Sequence, residues 1–168
     1  MAGPARPDAA RPDARLRAAF LASRYGTAAQ PVTLGAERIP AFTPAWAASR
    51  WGVVTAWNPA GQAQGRAANR AAQARLRVAA ARWPGHGGVN GDGDWQEPTL
   101  ILTGISLRDV AALGGAFGQA AVLWGSGARA ALVWLPASGV GGVRVERWWL
   151  RPAGKGAGAG TLAGPGDV

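Results

Sequence analysis

The chain has 168 residues, 48% of them hydrophobic, enough for one domain with a core of its own. It has no cysteine, which excludes disulfides, thiolate metal sites and a cysteine nucleophile. Lys and Arg total 18, Lys155 being the only lysine, against 9 acids; the net charge of +9 favours polyanionic partners without specifying one.

Residues 5–14 read ARPDA twice in tandem. So short a Pro-containing duplication is expected to be a disordered tail, assigned to residues 1–13. It has no apolar leader segment, so no secretory signal is expected and a cytoplasmic protein is the default. No apolar run approaches the ~20 residues of a membrane span, so no membrane partner is expected. Asp13 is placed to cap a helix over residues 14–25, with Leu16, Phe20 and Leu21 on one face and Gly26 as its stop. Residues 32–35 suggest a short strand, and residues 39–46, with two prolines, a covered loop. Residues 51–57 read as a buried strand. Trp51, Val53, Thr55 and Trp57 face one way; Val54, Ala56 and Asn58 face the other.

The alanine-rich stretch 63–82 is the clearest helix. Asn69, Ala72, Leu76, Ala79 and Trp83 share a face, and Arg66, Arg70, Gln73 and Arg77 share the adjacent one. No acid lies in the helix to pair with these arginines. Residues 83–98 are predicted to be a Gly-rich loop and residues 99–105 a central strand. Ser106 and Asp109 form a capping box for a helix whose buried face is Leu107, Val110, Gly114 and Phe117; the Gly114-Gly115 pair suggests close packing. Residues 119–135 predict a hairpin about Gly-Ser-Gly, residues 143–150 an edge strand, and residues 151–168 a flexible Gly-rich tail. The order predicts a single small α+β domain over residues 14–150. Its sheet would be mixed, of about five strands, with two or three helices packed on one face.

Four stretches, VVTAWNP, AANRAAQARL, GDGDWQEPTLILTGIS and LGGAFGQAAVLW, resemble the bacterial family catalogued as domain of unknown function 3293, over roughly residues 50–135. The family's pattern falls on Thr55, Ala56, Trp57, Asn58 and Pro59, then Asn69, then Glu97, Pro98 and Thr99, then Phe117, Gly118 and Gln119. Ala68 stands where the family often has an acid, and Thr99 where it often has Ser. The resemblance implies a fold unit and carries no activity with it.

Asn58, Asn69, Glu97 and Gln119 sit at strand ends or a helix start, where open sheets commonly bind ligands. Amides can read a base edge, and a carboxylate can act as a base. The same residues also suit a structural role, tying loops to backbone groups, with Glu97 capping a neighbour or paired to Arg70. Arg66, Arg70 and Arg77 form a candidate anion-binding stripe. Asn90, Asp92 and Asp94 alternate like the start of a calcium loop, but Trp95 stands where such a loop needs Gly, and the next acid comes at the eighth position. Asn/Asp-Gly turns explain that stretch without a metal. His86 has no second His beside it for zinc, and no nucleophile elbow accompanies Ser49, Ser106, Ser126 or Ser138. No phosphate-binding glycine motif is present, and no cofactor is expected.

The expected function is a non-enzymatic binding module for an anionic partner, a nucleotide or a nucleic acid. One rival is a small enzyme with Glu97 as general base and Asn58, Asn69 and Gln119 orienting substrate. Another is a protein-interaction domain with no small ligand and an apolar patch at Trp148-Trp149.

Overall fold

The structure, a computed structural model, describes residues 12–137 and 141–154. Of the tails expected at residues 1–13 and 151–168, residues 1–11 and 155–168 lie outside the described residues, as does Ser138, while Arg151 and Pro152 belong to a strand and not to a flexible tail. In chain order the elements are α1 (Ala14–Ala22), β1 (Tyr25–Gly26), β2 (Pro31–Gly35), β3 (Arg50–Val54), α2 (Arg66–Ala79), β4 (Gly85–Asp92), β5 (Trp95–Thr103), α3 (Leu107–Ala116), β6 (Ala121–Ser126), β7 (Arg129–Trp134) and β8 (Arg144–Pro152). A short 3₁₀ turn at Ala45–Ala47 sets Trp46 into the core, within the segment expected to be a covered loop.

The domain is α+β with three helices, but its sheet has eight strands, not about five, in the order β1-β2-β8-β7-β6-β3-β5-β4. Every neighbouring pair is antiparallel, so the sheet is not mixed. The two ends of that order meet. Gly91 N–H on β4 donates to the Arg24 carbonyl beside β1 at 2.8 Å, which curls the sheet into a nearly closed barrel. A Cβ at Gly88 would lie 2.8 Å from the Gly26 carbonyl oxygen, so only glycine permits this approach.

Three sequence expectations change for reasons of pairing. Residues 83–98 are mostly strand: β4 pairs with β5 from Gly85↔Leu102 to Asp92↔Trp95, and only Gly93-Asp94 turns. Glycine has no side chain to alternate, so the strand leaves no period-two pattern. The strand at residues 143–150 is no edge; β8 lies between β7 and β2, and runs on to Pro152, opposite Val32. The first helix ends at Ala22, short of the expected residue 25, and Tyr25 forms β1 with Gly26, the residue expected to stop the helix.

Strand alternation produces two cores rather than one. Trp51, Val53, Ile101, Leu123, Leu132 and Leu150 fill the barrel. Val54, Leu100, Leu102, Val122 and Val133 point outward, where Leu76 of α2 and Val110 and Leu113 of α3 cover them. Helix α1 instead packs Leu16, Phe20 and Leu21 against the interior cluster, so the helices do not share one face of the sheet. Phe20 meets Trp134 edge-on, with ring centroids 5.2 Å apart. Arg17 holds α1 to β8 through Glu146 at 2.8 Å, and that contact holds the Glu146 carboxyl below its ordinary value.

The capping box forms as expected: Asp109 N–H donates to Ser106 Oγ at 3.0 Å, and Ser106 Oγ donates to Asp109 Oδ2 at 2.7 Å. At Gly114 a side chain would run into Val122 and Leu135, which is the close packing the glycine pair suggested; Gly115 faces open space.

Candidate functional site

After β3 the chain turns through Asn58, which adopts left-handed backbone angles (φ 45°, ψ 65°). Asparagine tolerates this region better than most residues because its short side chain can bond locally. Here it does. Asn58 Oδ1 accepts from Gln64 N–H at 2.9 Å and from Asn69 Nδ2 at 2.9 Å, and Asn58 Nδ2 donates to Glu97 Oε1 at 2.7 Å. Asn69 lies in the first turns of α2 and is 1% exposed. Its Oδ1 accepts from Asn58 N–H at 3.0 Å, and its Nδ2 also reaches the Gln64 carbonyl at 3.2 Å. Asn69 thus has both donors and its acceptor engaged within the corner, and Asn58 its acceptor and one donor.

The structure brings three of the four expected polar residues into this one network. Gln119 joins it indirectly, donating to the Trp57 carbonyl at 3.0 Å from the start of the β6 side. Glu97 makes no ion pair with Arg70; its described partner is Asn58.

Burial lifts the Glu97 carboxyl above its ordinary value of 4.5, and the Asn58 amide opposes that rise. Between the ordinary and the raised value, the folded state keeps a proton that the unfolded chain has released. Stability therefore falls as pH rises through that window and stays lower above it. Glu97→Gln keeps an acceptor for Asn58 and removes the ionisation. It is expected to melt above the parent protein at neutral pH and to match it below the carboxyl range. Melts that coincide at every pH would remove burial as the cause.

Next to this corner, α2 presents Arg66, Arg70, Gln73, Ala74 and Arg77 along one side. With Trp57 and Pro98 they line a cleft of ≈ 400 Å³. The spacing i, i+4, i+7, i+8, i+11 is one helical face. The three arginines of the stripe therefore do converge, and none pairs with a carboxylate among the described residues. The helix begins without a capping side chain or an acid in its first turn, so the positive end of its dipole adds to theirs.

Gln73 is the residue that sequence reasoning placed on this face without giving it a role. It is 4% exposed. Its Oε1 accepts from Ala56 N–H at 3.0 Å and lies 3.5 Å from Thr55 Oγ1. A backbone N–H needs an acceptor, so this contact fixes which end of the amide is oxygen. The Nε2 end is left buried with no acceptor in the described chain, and so is Nε1 of Trp57. A polar residue on a helix face rich in arginine reads as solvated surface, which is why spacing alone did not single it out.

The calcium-like stretch does not form a chelating loop. Asn90 and Asp92 are alternate residues of β4, Asp94 lies in the turn, and Asp92 pairs with Arg24 at 3.4 Å. Among the described residues no three His, Cys, Asp or Glu side chains gather to hold a metal ion. His86 is exposed on β4, and Ser126 ends β6 at a hairpin whose turn is Gly127-Ala128.

Both the corner and the cleft lie between the end of β3 and the start of β6. Residues 54–122 match the model of a family described as Protein of unknown function (DUF3293). The DUF3293 match is the resemblance carried by the Asn-Pro and Glu-Pro motifs, on a segment narrower than residues 50–135. It covers every lining residue of the cleft and leaves β7, β8 and α1 outside. No curated protein and no solved structure matches the chain. Among the described residues no helix is long and apolar enough to cross a membrane.

Proposed function

We propose that the protein is a non-enzymatic binding module whose arginine cleft takes a nucleotide or a similar phosphate-bearing small molecule. The observation that carries this reading is the Gln73 amide: a buried donor without an acceptor, on the floor of a cleft walled by three arginines with no described acidic partner. An orphaned buried donor is costly, and a ligand oxygen is the acceptor that would relieve it. Arginine forks suit phosphate oxygens, and the Trp57 ring offers a flat surface and a second donor. The volume, ≈ 400 Å³, lies within the range of small-molecule sites. Asn58, Asn69 and Gln119 are committed to one another and to backbone groups, which leaves them little with which to orient a substrate; this favours binding over the enzyme with Glu97 as base.

The test is a thermal melt followed by tryptophan fluorescence against nucleoside mono-, di- and triphosphates. A ligand at ~100 times its dissociation constant adds ~2.7 kcal/mol to native stability, a shift a melt resolves. The expected result is a rise with at least one nucleotide that is lost in Arg66→Ala/Arg70→Ala and shrinks with added salt, without turnover of the nucleotide. A flat response across the panel overturns the reading, and turnover abolished by Glu97→Gln would replace it with the enzyme.

A further inference from the structure

A second surface lies mostly outside the DUF3293 segment, on the outer face of β6, β7 and β8. Residues pointing into the barrel alternate with residues pointing out, so the pairing register gives the outer face directly. One cross-strand row is Trp124, Ala131 and Arg147; the next is Ser126, Arg129 and Trp149. The row beyond Trp124, made of Val122, Val133 and Val145, is partly covered, because α3 packs on Val122 through Gly114. Past Leu107 at the start of α3 the sheet is uncovered, and a groove of ≈ 690 Å³ runs there between Trp124, Trp148, Trp149, Arg129 and Arg147, with Ala131 as its small floor residue.

Two features set the chemistry of its occupant. First, the outward positions of these three strands are Val122, Trp124, Ser126, Arg129, Ala131, Val133, Val145, Arg147, Trp149 and Arg151, without an acid among them. The described ion pairs leave Arg129, Arg147 and Arg151 without a carboxylate. Second, the aromatic rings are held but not used up. Trp124 is fixed by donation from Nε1 to the Ile105 carbonyl at 3.0 Å. Arg38 and Arg129 each stand 5.7 Å from the Trp149 ring centre, a loose cation–π contact that a stacked base would displace.

We propose that this face binds single-stranded nucleic acid, with bases stacked on Trp124 and Trp149 and the phosphate backbone tracked by Arg129, Arg147 and Arg151. Stacking platforms interleaved with unpaired arginines are what sequence-tolerant single-strand binding requires. A duplex keeps its bases stacked on one another and would meet only the arginines. An acidic protein segment would satisfy the charge but would gain nothing from two separated flat rings. The inference is independent of the nucleotide reading, since no lining residue is shared between the two clefts.

The experiment uses the full chain with a fluorescein-labelled oligothymidylate, its duplex with oligoadenylate, and an acidic polyglutamate peptide, read by anisotropy across a salt series. Tryptophan fluorescence is followed in parallel. The single strand is expected to bind more tightly than the duplex and to quench tryptophan emission. Trp149→Ala should weaken it about tenfold or more. Arg129→Ala/Arg147→Ala, both exposed positions, should weaken it and flatten its salt slope without touching the core. Arg66→Ala/Arg70→Ala should leave it unchanged, which separates this surface from the nucleotide cleft. Equal or tighter binding of the duplex, binding to polyglutamate alone, or no binding to the single strand at low salt would each overturn the proposal.

Discussion

Gln73→Glu is expected to lower the affinity of the arginine cleft for a nucleotide by about 100-fold or more, while the protein still folds. The exchange keeps the shape of the side chain and keeps an oxygen where Ala56 N–H needs one. It replaces the free amide donor by a second oxygen. A hydrogen bond to a charged group is worth about 1.5–3 kcal/mol, and a phosphate would now face a carboxylate instead of a donor. At 1.4 kcal/mol per tenfold, that loss and the repulsion together reach two orders of magnitude. The fold should survive because Arg66, Arg70 and Arg77 stand along the same cleft and have no described acidic partner. Isothermal titration with the nucleotide identified by the melt measures the affinity. An unchanged affinity in a folded variant would mean that the amide is not part of a ligand site.

Asn69→Leu is expected to destabilise the fold by about 2–4 kcal/mol, because it strips partners from two part-buried backbone groups and from the Asn58 side chain at once. Asn58 N–H loses its acceptor and the Gln64 carbonyl loses a donor, while Asn58 itself sits at a left-handed residue that those bonds help to hold. Leucine has as many side-chain heavy atoms as asparagine, so the exchange opens no cavity and the hydrogen bonds are what is removed. Urea unfolding gives the number. A loss under about 1 kcal/mol would mean that the corner relaxes and finds other partners. Glu97→Gln, which leaves Asn58 an acceptor, is expected to show no such loss at neutral pH.

The parts of the molecule readable from sequence are those whose signal is local. Helix α2, the Ser106–Asp109 cap, the β6–β7 hairpin and the two faces of β3 follow from propensity, capping chemistry and alternation. Asn58, Asn69 and Glu97 were legible as a group because polar residues beside a buried strand must bond to something. Their partners were not legible, since Glu97 comes from a strand far along the chain. What failed was set by pairing across the sheet. Nothing in the alternation of residues 143–150 says whether one or both edges of β8 are occupied, and the two-residue β1 is too short to carry a pattern. Gln73 was missed for a related reason: its meaning depends on Ala56 at the end of another strand, which fixes one end of the amide and leaves the other without a partner.

The seam between β1 and β4 has a consequence for how the protein behaves as a solute. β1 spans only Tyr25–Gly26, so most of the outer edge of β4 has no strand beside it. A long free edge ordinarily templates the addition of a strand from another molecule. This one is built from Gly85, Gly87, Gly88 and Gly91, begins after Pro84 and ends in charged Asp92. Glycine gives an incoming strand no side chains to pack on and makes ordering costly, so β4 holds to β5 but recruits poorly from outside. The glycines that erase the strand from the sequence pattern are thus also what guards it against edge-to-edge aggregation, and a β-branched residue at Gly87, where a side chain would meet open space, would trade part of that protection for a stickier edge.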